Sequence, residues 1–79
     1  MERETVYKII DNEREYQDGK WTNKRSVAEE LLIMESFLDK AKTSYVSRLG
    51  EKVALDQIRK VIAVGVRCLE NHGNGFIRR

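Results

Sequence analysis

The sequence contains no proline, so no residue in it stops a helix by removing a backbone donor. It has a single cysteine, Cys68, which excludes an intrachain disulfide framework and a multi-cysteine zinc site. No apolar run is long enough to span a bilayer. The opening residues MERETVYK lack the apolar stretch of a secretory leader, so the chain is expected in the cytoplasm. Neither sign of charge prevails. Fifteen Lys and Arg against thirteen Asp and Glu leave a net +2, and the two signs are interspersed. That is no footprint for nucleic acid, although Lys20, Lys24 and Arg25, and the pair Arg78-Arg79, are local basic spots. Strand-like alternation is also missing, and 35% of the residues are charged. Together these absences predict an all-α protein. Seventy-nine residues make one domain with a limited core, which assembly with further copies would help.

What is present is helical periodicity. In Ser26 to Leu49, the residues Val27, Leu31, Met34, Leu38, Ala41 and Tyr45 follow at alternating steps of four and three, one apolar seam along a helix. Ser26 with Glu29 reads as a capping box at its start, and Gly50 as its stop. Everything else is expected to pack on this central helix. A first helix is expected over residues 5–18, with Val6, Ile9, Ile10 and Tyr16 as its stripe, Arg14 and Asp18 as an i,i+4 pair, and Gly19 as its end. A third is expected over 52–72, joined to the second by a short turn that favours an antiparallel hairpin. Its run Val61 to Leu69 is apolar nearly all round except at Arg67, so the first helix and a second subunit are expected to cover it. Gly65 costs about 1 kcal/mol of helix stability relative to alanine, which points to a close approach there. Residues 73–79 are expected to form a mobile tail after a glycine stop.

Several constellations bear on chemistry. Glu29, Glu30 and Glu35 crowd the front of the central helix, where facing carboxylates can hold magnesium; equally, they make a solvated acidic face plus a cap. Glu13 to Trp21, EREYQDGKW, offers Arg14, Gln17, Lys20 and Trp21 to stack a base and grip a phosphate, or else is a helix end whose tryptophan plugs the bundle. Arg67 either snorkels to the surface or faces an anion at an oligomer interface. His72 reads as a dipole-favoured cap before a catalytic base, and Cys68 as a buried structural thiol. No GxSxG, phosphate-loop, HExxH or dinucleotide-binding signature occurs.

Three groups of residues then stand in a suggestive order. They are Glu13, Arg14, Gln17, Asp18, Lys20 and Trp21; the pair Glu29-Glu30; and Val61, Ala63, Val64, Val66, Arg67, Leu69 and Glu70. In this the chain resembles the small MazG-like proteins of phages, within the all-α nucleoside triphosphate pyrophosphohydrolases. The resemblance implies a helical oligomer that uses Mg2+ to split a nucleotide into monophosphate and pyrophosphate. It also implies metal ligands at Glu29 and Glu30. The third position of the E-E-x-x-E pattern is Ile33, however, and Gln57 and Lys60 stand where the second helix's carboxylates belong. An ammonium in a magnesium site repels the ion it replaces.

The resulting expectation is an all-α antiparallel hairpin with an extra N-terminal helix, assembling into an oligomeric bundle. Its expected role is non-catalytic: binding or sequestering a nucleotide or nucleotide-derived signal, with an anti-defence part in the host cytoplasm if phage-encoded. Arg14, Gln17, Lys20, Trp21, Arg25, Lys60 and Arg67 are the ligand-binding candidates. Two alternatives accompany it: a module that inhibits a host protein through an exposed helix face, and an active Mg2+-dependent pyrophosphohydrolase with a rearranged ligand set.

Overall fold

The structure, a computed structural model, describes residues 1–48 and 50–75. Three helices account for most of them: α1 (Arg3–Lys20), α2 (Val27–Val46) and α3 (Gly50–His72), with a single 3-10 turn at Gly73–Gly75. No strand occurs among the described residues, and no helix is long and apolar enough to cross a membrane. The chain is all-α.

Local chemistry sets the helix ends. The Ser26 hydroxyl accepts from the Glu29 N–H at 3.2 Å, and the Glu29 carboxylate accepts from the Ser26 N–H at 2.9 Å, closing the expected capping box. Several other ends differ from expectation, although α3 closes at His72 as expected. Helix α1 runs through Gly19 to Lys20 and closes when the Trp21 N–H bonds the Gln17 carbonyl at 2.7 Å. Helix α2 ends at Val46, where the Ser47 N–H bonds the Thr43 carbonyl at 2.9 Å, short of the expected stop at residue 49, which lies outside the described residues. Gly50 does not cap α2 but opens α3, at φ +85°, a conformation glycine adopts without steric cost.

The packing centre is α3, not α2. Helix α3 packs against both other helices, whereas α1 and α2 make no close backbone approach among the described residues. The reason lies in which side of α2 turns inward. Its buried residues are Glu30, Ala41 and Ser44, with Met34 and Phe37 half-buried between them. Of the expected seam, Ala41 is buried and Met34 half-buried, whereas Val27, Leu31, Leu38 and Tyr45 stand to one side of that line and are exposed. Along the contact, Glu30 meets Arg67, Met34 approaches Gly65, and Phe37 lies under Lys60, so partner numbers fall along α3 as they rise along α2. A Cβ added at Gly65 would lie 3.4 Å from Met34 Cε, the close approach expected of a helical glycine.

The interior is polar. Buried apolar residues are Ile10, Ala41, Ala54, Ala63 and Val64, while Glu13, Arg14, Gln17, Glu30, Ser44 and Arg67 are equally withdrawn from solvent. The stripe that α1 turns inward is Ile10, Glu13, Arg14 and Gln17; Val6 and Tyr16, expected there, are exposed. Arg67, read as either snorkelling to the surface or facing an anion at an interface, is buried, whereas Ile62 and Leu69 on the same helix are exposed. Cys68, expected to be buried, is half-buried at the edge of a groove.

Candidate functional site

Two linked arrangements emerge where the three helices meet. The first is an ionic network. Arg14 donates through Nε to Glu70 Oε1 at 2.6 Å and through Nη1 and Nη2 to the Asp18 carboxylate at 3.0 and 3.3 Å. Burial alone would lower the Arg14 pKa, but hydrogen bonds and charge from Glu70 and Asp18 outweigh it and hold the value above ordinary. Arg67 donates to Asp18 Oδ1 at 3.2 Å and to the Asn23 carbonyl at 3.0 Å, so Asp18 bridges the two guanidinium groups. Arg67 Nε lies 3.6 Å from Glu30 Oε1, too far for a hydrogen bond. Glu30 is 0% exposed, and neither of its oxygens has a hydrogen-bond partner in the protein. The Gln17 amide nitrogen donates to Glu13 Oε2 at 3.2 Å and reaches the Lys60 carbonyl at 3.5 Å, tying α1 to α3. Arg59 lies between Glu13 and Asp56.

The expected ligand-binding set therefore divides. Arg14, Gln17 and Arg67 are committed to internal partners and form part of the scaffold. Glu29 and Glu30 diverge: one caps α2, the other faces Arg67 inside. The hydrogen bonds from the Ser26 backbone and side chain hold the Glu29 carboxyl below its ordinary pKa. Among the described residues no group of three or more His, Cys, Asp or Glu side chains comes together as metal ligands would. His72, read as a helix cap, instead meets the Arg25 carbonyl through Nε2 at 2.8 Å, fastening the α1–α2 connection to the end of α3.

The second arrangement collects the remaining candidates. The Arg25 guanidinium lies 4.5 Å over the Trp21 ring. Trp21 in turn stacks on Phe37, with centroids 6.4 Å apart and planes inclined by 26°. The ammonium groups of Lys40 and Lys60 stand 5.3 and 5.8 Å from the Phe37 centroid, and Lys20 stands 5.9 Å over Tyr16. Contacts of this kind draw on the ring quadrupole and leave most of each cation's charge unneutralised. Lys60 has one carboxylate neighbour, Asp56 at 3.8 Å. It also lines a cleft of about 380 Å³ together with Asn12, Glu13, Tyr16 and Arg59.

Lys20, Trp21, Arg25 and Lys60 thus fall along one cation–aromatic strip, beside a cleft walled by α1 and α3. Sequence reasoning missed Phe37 and Lys40, which complete it. The signal was present as an aromatic and a lysine three residues apart on α2, on the same turns as the seam but around the helix from it. An anionic planar ligand would find stacking surface and cationic donors here. No protein-family model, curated protein or solved structure matches this chain.

Proposed function

We propose that this chain is a non-catalytic helical binding protein that takes up an anionic, nucleotide-like ligand along the cation–aromatic strip. In this reading α2 and α3 form an antiparallel hairpin, and copies of the chain associate. The observation that carries the ligand is the Arg25–Trp21–Phe37 stack with Lys40 and Lys60 at its edge. Aromatic faces accept a base, and the lysines meet its phosphates as mobile point charges. The scaffold arginines hold the three helices in register beneath it. The falling order of contacts along α3 supports the hairpin, and the exposed apolar seam supports association. A MazG-like ancestry fits a scaffold that keeps a polar interior while Gln57 and Lys60 stand at ligand positions. A role in sequestering a host signal is the corresponding biological proposal.

Trp21 is the chain's one tryptophan, so its fluorescence reports the strip directly. Titration with mono-, di- and triphosphate nucleotides is expected to change the emission saturably, with Lys60→Glu weakening binding about tenfold or more. Emission indifferent to every nucleotide contradicts the reading.

A second reading has its own observation. The apolar face of α2 and α3 is open enough to take a different protein, which would make the chain a module that binds and inhibits a host protein. A face closed by a second copy removes that option.

A further inference from the structure

The exposed apolar residues of the hairpin are ordered. Leu31, Leu38 and Tyr45 recur every seven residues on α2, and Leu55, Ile62 and Leu69 every seven on α3. All six lie between 44% and 66% exposed. Seven residues are close to two helical turns, so each trio keeps to one edge of its helix. On the register that sets Met34 against Gly65, Leu31 stands level with Leu69, Leu38 with Ile62, and Tyr45 with Leu55. At one end of this face, a shallow groove of about 430 Å³ lies over Met34 and Gly65, bordered by Leu31, Ile62 and Leu69. Paired seven-residue seams on two neighbouring helices are the pattern of half a four-helix bundle.

The monomer is also too open for its mass. Its accessible surface is 6392 Å², against roughly 4,900 Å² for a compact protein of this size. Its radius of gyration is 13.6 Å, where a compact chain of this length would show about 11.6 Å. The surplus area exceeds the roughly 800 Å² per partner that a standard stable interface buries.

The charges beside the seams indicate which partner fits. On α2, exposed Glu35 and Lys42 lie seven residues apart and almost equally far on either side of Leu38. On α3, Glu70 is held by Arg14 of α1 at 2.6 Å, so its charge is taken up within the chain. The α2 edge is negative on one side of its centre and positive on the other. A two-fold axis across the hairpin between Leu38 and Ile62 would therefore bring Glu35 to Lys42 of a second copy.

We infer that this face is the interface of an isologous homodimer, two hairpins closing into a four-helix bundle about a two-fold axis perpendicular to the helices between Leu38 and Ile62. The inference deepens the self-association in the proposed function and does not depend on the ligand. Self-complementary charge is what a two-fold interface requires, because every residue on it meets the partner's opposite end.

Sedimentation equilibrium of the full chain tests it, with circular dichroism as the folding control. The wild type should show twice the 9.2 kDa of one chain at micromolar concentration. Leu38→Glu should be monomeric with its helicity kept. Glu35→Lys and Lys42→Glu should each weaken the dimer about tenfold, and the double exchange should restore it. The double exchange reads out the axis on a folded protein even if Leu38→Glu unfolds. A dimer that survives Leu38→Glu uses another face and overturns this inference alone. A dimer weakened by the single charge exchanges but not restored by the double exchange overturns the axis. A wild type that stays monomeric overturns both this inference and the association it deepens.

Discussion

Glu30 and Arg67 form the most exacting pair in the molecule. The carboxylate is shut away from water, and the Nε of its cationic neighbour is 3.6 Å away with no hydrogen-bond partner of its own. Removing one member of such a pair leaves a buried charge uncompensated. Arg67→Ala is therefore expected to lower the unfolding free energy by about 3 kcal/mol or more, measured by urea denaturation. Changing the pair together, Glu30→Leu with Arg67→Met, should recover most of that loss, since apolar replacements of similar volume are tolerated where ion pairs are buried. At the surface, Ser26→Ala should cost about 1 kcal/mol through loss of the cap. Glu29 supplies the pH dependence. Its folded pKa lies below its unfolded value, so its contribution is present above the ordinary glutamate range and is lost as pH falls through the folded value. Protection of the amides at the first turn of α2, relative to their intrinsic exchange rates, should fall in acid, and Glu29→Gln should remove that dependence. Equal protection at acid and neutral pH would contradict the cap's role.

At the scale of the elements, each helix shows how far sequence reasoning reaches. The start of α2 was legible because a capping box is closed by residues three apart. The Arg14–Asp18 pair was legible for the same reason, and it forms at 3.0 Å. The seam on α2 was visible as a seam, but its facing was not. Spacing fixes which residues share an edge; only the neighbour decides whether that edge turns inward. Here α3 offers Ala54, Ala63, Val64 and Gly65 as a flat approach, and α2 turns Glu30, Ala41 and Ser44 toward α3, which takes in Met34 and Ala41 from the seam and leaves its other members outside. Which of its two readings Arg67 would follow was not legible for a related reason. Its partners Asp18, Asn23 and Glu30 lie far along the chain, where no local rule connects them. The strip was half legible: Trp21 and its cations cluster in sequence, whereas Phe37 and Lys40 join only through the fold. Gly65 gives the element-scale prediction. Gly65→Ala gains about 1 kcal/mol of helix propensity, and the added Cβ meets only the flexible end of Met34. Thermal unfolding of a monomeric Leu38→Glu background should show the substitution as neutral to stabilising. A clear loss would mean that Met34 cannot give way.

As a whole, the molecule is polar inside and apolar along one outer face, with a core made largely of alanine. On the proposed association, its unfolding midpoint should rise with protein concentration, as mass action requires of a coupled assembly. A midpoint unchanged over a hundredfold dilution would speak against that coupling. The same division leaves the strip free for a ligand, because Trp21 and Phe37 lie apart from the two seams. The strip is proposed to hold an anionic nucleotide without altering it. The direct measurement is incubation of the purified protein with a nucleotide panel, cyclic nucleotides included, in the presence of Mg2+. Free nucleotide is then assayed by chromatography before and after the protein is heat-denatured. At least one nucleotide is expected to leave solution and to return intact on denaturation. Conversion to a monophosphate, or a panel that stays free throughout, would contradict sequestration by the strip.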